Sequence, residues 1–114
     1  MRIITLTSNN NSLQVYVASS FLERFLGLMG RKSLPARHGL LLSPCSSIHM
    51  MFMRFAIDAV FLDKEYRILK IFPGLRPWLG LAACPRAHSC LELPAGTVRE
   101  LALKEGMKLF PSPT

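Results

Sequence analysis

The sequence predicts a mainly β fold: one compact domain built as a sandwich or barrel-like sheet with two short helices. Three observations predict it. About seven short segments are β-branched, alternating or wholly apolar, polar or Pro/Gly-containing breaks separate them, and only two places carry a helix-starting signal. Each extended segment is too short and too one-sided for a parallel sheet sandwiched between helix layers.

Arg2 to Thr7 (RIITLT) and Leu13 to Ala18 (LQVYVA) flank the polar cluster Ser8 to Ser12, which predicts an opening β-hairpin. Ser20 and Glu23 have the spacing of a capping box, so a helix is expected over Phe21 to Met29 with Gly30 as its stop. Its Phe21, Phe25 and Leu28, with Leu22, Leu26 and Met29, form a wide apolar stripe. Gly39 to Ser43 (GLLLS) reads as a short buried strand ended by Pro44. Ile57 to Leu62 and Arg67 to Phe72 are strand-like and joined by the polar Asp63 to Tyr66, as in a second hairpin. Pro73-Gly74 and Pro77 mark a loop that carries Trp78. Ser89 to Leu93 is a further strand stopped by Pro94, and Thr97 with Glu100 repeats the capping-box spacing ahead of a helix over Val98 to Lys104, with Gly106 as its stop. A last strand is expected over Met107 to Phe110, with Pro111 and Pro113 in a tail.

Composition bounds the function. In 114 residues, 50% are hydrophobic and 18% charged, enough apolar mass for one core without disulfide or metal support. No repeat or linker divides the chain, so residues 1–114 form a single domain. The longest apolar stretch, Ile48 to Leu62, is interrupted by Arg54 and Asp58, so membrane insertion is not expected. The start lacks the apolar core and cleavage site of a signal peptide, and a cytoplasmic location is the expectation. Fourteen Lys and Arg against seven Asp and Glu leave a net charge of +7. The basic residues are scattered without interleaved aromatics, so they read as a solvated surface rather than a nucleic-acid interface.

The order Arg24-Phe-Leu-Gly-Leu-Met-Gly-Arg31, Gly39-Leu-Leu-Leu, Ile48-His-Met-Met-Phe-Met-Arg-Phe-Ala-Ile-Asp-Ala-Val-Phe-Leu-Asp63 and Leu91-Glu-Leu-Pro-Ala-Gly96, followed by Gly106, resembles the domain of unknown function 192 family. The resemblance runs from about Ala18 to Leu109. It implies a compact mainly β domain, found both in the cytoplasm and behind signal peptides, with no agreed activity. The chain departs from the family pattern in carrying Phe52 where Trp is frequent and in a shorter link between Met53 and Ile57-Asp58.

Several groups could carry chemistry. Cys45-Ser-Ser-Ile-His49 and Cys84-Pro-Arg-Ala-His88-Ser-Cys90 offer thiols and imidazoles to zinc, and the run His49 to Met53 offers thioethers to Cu(I). Neither has tight paired ligand spacing, so no metal and no cofactor is expected, and the methionines read as adaptable core. The cysteines read most simply as free thiols, with one bridge and one thiol left over as the alternative. Asp58 and Glu92 interrupt apolar strands and must be paired, at an edge or in a cleft. If they converged across neighbouring strands they would form an acid/base pair. Cys45 with a histidine such as His88 is a second enzymatic arrangement.

A binding module is favoured over an enzyme. It would hold a small molecule or a partner protein where Phe52, Met53, Arg54, Asp58, Trp78 and Glu92 gather at one mouth of a closed β body.

Overall fold

The chain is described by a computed structural model covering residues 1–29 and 31–113. Asn9 and Asn10 both take positive φ, 48° and 69°, the pair of left-handed conformations that a two-residue hairpin turn needs and that Asn tolerates. They join β1 (Arg2–Ser8) to β2 (Asn11–Ala18) in antiparallel register from Arg2↔Val17 to Ser8↔Asn11. The capping box then forms as expected: the Glu23 N–H donates to Ser20 Oγ at 3.1 Å, and Glu23 Oε1 accepts from the Ser20 N–H at 3.2 Å. The helix α1 (Phe21–Leu26) is shorter than the sequence suggests. It stops at Gly27, whose N–H donates the last helical bond to the Glu23 carbonyl but which takes φ 46°, a conformation that turns the chain out of the helix. The expected stop at Gly30 lies outside the described residues. None of the helix residues is buried, so the apolar stripe of Phe21, Leu22, Phe25 and Leu26 faces outward instead of into a core.

After α1 the chain enters β3 (His38–Leu42), which runs parallel to β2 as the sheet's parallel pair among the described strands. Then follow β4 (Ser47–His49), β5 (Ile57–Leu62), β6 (Ile68–Leu75), β7 (Leu81–Ala83), β8 (Ser89–Pro94), α2 (Thr97–Glu100) and β9 (Phe110–Pro113). Seven strands form one mixed sheet in the order β6-β5-β8-β3-β2-β1-β9, and β4 pairs with β7 in a separate ribbon. The sheet curls until its two ends meet beside β6 and β9. There Arg67 and Lys108 form an isolated bridge, and the Leu109 N–H reaches the Tyr66 carbonyl at 2.9 Å. The fold is therefore mainly β and barrel-like, with two short helices, as the segment pattern implies.

Three local expectations are corrected. Pro73-Gly74 does not end a strand. It makes a bulge within β6, where the pairing jumps from Ala59↔Phe72 to Ile57↔Leu75 and Gly74 takes φ 63°. Pro111 and Pro113 lie not in a tail but in β9, which sits at the sheet edge, where a missing N–H is tolerated. Thr97 does not cap α2. Gly96 is the N-cap at φ 95°, and the Thr97 hydroxyl donates to the Pro94 carbonyl at 2.7 Å.

The cap of α2 comes from another strand. Asp58 Oδ2 accepts the N–H groups of Gly96 and Val98, each at 3.0 Å, and Asp58 Oδ1 accepts that of Gly74 at 2.9 Å. One carboxylate thus ties β5 to the bulge of β6 and to the first turn of α2, where a negative charge suits the helix end.

Alternation along the central strands divides the interior in two. Leu41, Val60, Leu62, Leu91 and Leu93 point to one core with Val15, Val17, Leu101 and Leu109. Leu40, Leu42, Ala59, Phe61 and Cys90 point to the other, which Ile48 and Ala82 of the β4–β7 ribbon and Met50, Met53, Leu28 and Leu34 of the loops cover. Cross-strand partners Asp58↔Leu93 and Ala59↔Glu92 place the two carboxyl groups on opposite faces of the sheet. The expected gathering of interior polar groups at one mouth does not occur, and Asp58 and Glu92 form no acid/base pair.

Two substitutions test this packing. Asp58→Asn replaces an acceptor of three N–H groups by an amide that can present only one oxygen, and should cost roughly 2–4 kcal/mol in urea unfolding. Gly39→Ala would set a Cβ 2.8 Å from Leu93 Cδ2 and 3.2 Å from the Glu92 carbonyl, so a loss of about 1–3 kcal/mol is expected in the same measurement. Wild-type stability in either variant would contradict the packing described.

Candidate functional site

The face of the sheet that carries Cys90 and Glu92 is covered incompletely. Between α1 and the β4–β7 ribbon a cleft of about 350 Å³ remains, the size of a small-molecule site. One wall is α1 and the turn after it, contributing Phe21, Arg24, Phe25, Leu26 and Leu28. The capping box fixes where this helix begins and therefore which of its side chains meet the cleft. The other wall is the segment leaving β3, Pro44 to Ser47, followed by Ile48 and His49 of β4. Leu42, Met53 and Glu92 complete the lining.

Glu92 is the group that distinguishes this cleft from a packing defect. It is 5% exposed, yet its carboxyl makes no hydrogen bond or ion pair among the described residues. Burial pushes its pKa up to about 8, and the nearby Cys45 sulfur adds to the rise. At neutral pH the group is mainly the neutral acid, able both to donate and to accept a hydrogen bond.

Cys45 stands beside it, half-buried, with its S–H within 3.2 Å of the Ser47 carbonyl. The neighbouring Cys90 side chain is the main influence bringing the Cys45 pKa down to about 7. Burial opposes the fall, while a main-chain contact with Ser47 and the charge of Arg24 assist it. Cys90 is fully buried, and its own pKa is pushed up by the neighbouring Cys45 side chain and by burial.

Of the residues expected at a site, Met53 and Glu92 line the cleft. Phe52 and Trp78 are brought together elsewhere, with ring centroids 4.9 Å apart and tilted by 59°, both more than half exposed. Arg54 is exposed in the loop ahead of β5, and Asp58 is the structural acceptor on the opposite face. His88 meets Cys45 through its main chain: its carbonyl accepts the Cys45 N–H at 3.0 Å. His49 is the imidazole that shares the cleft with Cys45. The Cys45-x3-His49 spacing points to this pair, whereas nothing local in the sequence marks Arg24. Among the described residues, no three of His, Cys, Asp and Glu stand close enough together to hold a metal ion.

Fold and site together define a small, mainly β protein with a cleft that has the Glu92 carboxyl in its lining. The chain belongs to the DUF192 family, described as Uncharacterized ACR, whose model matches residues 3–110. It is 32% identical to a UPF0127 protein of Pyrococcus furiosus over 102 residues, 85% of each chain. It is 35% identical over 100 residues to a UPF0127 protein of Pyrococcus horikoshii, covering 83% of this chain and 79% of that one. A solved structure from Sinorhizobium meliloti, provisionally described as a transcription regulator, superimposes with a TM-score of 0.86 at 24% identity over 96% of this chain and 92% of that one. A Novosphingobium aromaticivorans protein of unknown function gives a TM-score of 0.82 at 21% identity over 95% and 83%. The two structural likenesses show the shared fold. No helix among the described residues is long and apolar enough to cross a membrane.

Glu92 sets a pH dependence. Its folded pKa of about 8 lies above the ordinary value of 4.5, so the folded state holds a proton that the unfolded state releases between these values. Stability should therefore be greatest below about pH 5 in this respect and fall as pH rises toward 8, by on the order of a few kcal/mol. Glu92→Gln should flatten that slope in denaturant titrations from pH 5 to 8. An unchanged slope would mean that Glu92 is ionised in the fold.

Proposed function

We propose that the protein is a small-molecule-binding module of the cytoplasm whose ligand occupies the cleft between α1 and the β4–β7 ribbon. The observation that carries this reading is the buried Glu92 carboxyl, directed into an open cleft without a protein partner. The carboxyl oxygens keep solvent contact through the cleft, so a ligand can reach them and exchange its hydrogen bonds for those of water. Phe21, Phe25, Ile48 and Met53 suit an apolar body, while Arg24 suits a carbonyl or carboxylate end. Among the residues expected from the sequence, Met53 and Glu92 belong to this site; Phe52, Arg54, Asp58 and Trp78 stand outside its lining.

The three free cysteines fit a reducing compartment. Nucleic-acid binding is the weaker reading. The name given to the Sinorhizobium protein concerns that protein, and here the +7 charge is spread along the chain while the cleft floor is a carboxyl.

Octanoate and octanamide are suitable probes, followed by amide and methyl chemical shifts. Shifts should concentrate at α1, Ile48, Met53 and Glu92. Glu92→Gln should weaken both probes by roughly tenfold, the loss of about one good hydrogen bond. Arg24→Ala should weaken octanoate more than octanamide. Absent shifts, or shifts centred on Phe52 and Trp78, would contradict the assignment.

A further inference from the structure

Cys45 in the wall of the cleft and Cys90 buried in the adjoining core are thiols that ligand binding does not require. We propose that Cys45 and Cys90 form a redox-active dithiol, in which a hydroperoxide oxidises Cys45 and Cys90 then resolves the product to an intramolecular disulfide. The inference is independent of what occupies the cleft.

Three features carry it. First, the two thiols are neighbours: Cys45 packs against the core cluster that holds Cys90, and the Cys90 side chain is the main influence on the Cys45 sulfur. The main chain holds them in place, since the Cys45 N–H donates to the His88 carbonyl at 3.0 Å, two residues ahead of Cys90 on the strand that β3 and β5 clamp from both sides. Second, access is unequal. Cys45 lines the open cleft, while Cys90 is fully buried and outside its lining. This is the division between an attacking thiol and a resolving one. Third, the surroundings favour the reactive form of the outer sulfur. The Cys90 side chain and the Arg24 charge both stabilise a Cys45 thiolate. Cys84 has no corresponding place, because it lies outside the cleft lining.

The chemistry balances with one hydroperoxide. The Cys45 thiolate attacks the distal peroxide oxygen, an S–O bond forms and the O–O bond breaks. The departing oxygen takes a proton from the neutral Glu92 carboxyl or from water and leaves as an alcohol, or as water when the oxidant is hydrogen peroxide. The Cys90 sulfur then attacks the Cys45 sulfenic acid, an S–S bond forms and the S–O bond breaks. The hydroxide released leaves as water with the Cys90 proton. Two thiols lose two electrons in total, and one hydroperoxide gains them.

The test treats the reduced full-length protein with equimolar hydrogen peroxide and follows intact mass and peptide maps. The expected product has lost the mass of two hydrogen atoms, contains a peptide cross-linked between Cys45 and Cys90, leaves Cys84 alkylatable, and returns to the starting mass with dithiothreitol. Cys90→Ser should instead gain one oxygen at Cys45, captured by dimedone, and Cys45→Ser should react at neither position. The wild-type map decides the matter even where a variant folds poorly. Free Cys45 and Cys90 after treatment, a cross-link through Cys84, or disulfide formation only between molecules would each overturn the proposal.

Discussion

The pairing of β8 with β3 on one side and β5 on the other is the constraint from which the site follows. Both neighbours run antiparallel to β8, and Leu91 stands opposite Leu41 and Val60 at once. A slip of one residue would exchange the two faces and move Leu91 and Leu93 out of their core. With the register held by those leucines, Cys90 and Glu92 are committed to the other face. Cys90 meets Leu42 and Phe61, and Glu92 meets Leu40 and Ala59. The carboxyl is buried because its strand is central.

The protein treats its two buried carboxyl groups in opposite ways. Asp58 is surrounded by three main-chain N–H groups from two segments, and the fold closes around it as a joint between β5, β6 and α2. Glu92 has no such donors and holds its proton instead, which lowers the cost of burial without removing it. The first arrangement is complete within the chain. The second leaves donor and acceptor capacity facing a cleft, beside a thiol pair and an arginine, and so directs attention to the Glu92 face.

Much of the architecture was legible in the sequence, because the signals involved are local. Alternation around an Asn-rich turn sufficed for the β1–β2 hairpin, and the Ser20/Glu23 spacing for the start of α1. The apolar blocks sufficed for β3, β5 and β8. What escaped depends on distant partners. The three-residue strands β4 and β7 have no periodicity of their own and exist because each completes the other. The prolines of β9 are compatible with a strand only because it lies at an edge, and the α2 cap is supplied from β5 rather than by Thr97. Alternation correctly sets Glu92 opposite Leu91 and Leu93. It could not say that Asp58 would emerge on the other face, because that requires the cross-strand register. Arg24 is likewise one basic residue among many until α1 is placed beside Cys45.

The most direct test of this account is the ionisation of Glu92 itself, read from the carboxyl carbon resonance of selectively carbon-13-labelled glutamate across a pH titration and assigned with Glu92→Gln. A signal that stays in the protonated position through pH 6 and moves with a midpoint near 8 is the predicted result. A midpoint near 4.5, the ordinary glutamate value, would show a solvated or paired carboxylate and contradict the buried, unpartnered acid on which the site rests.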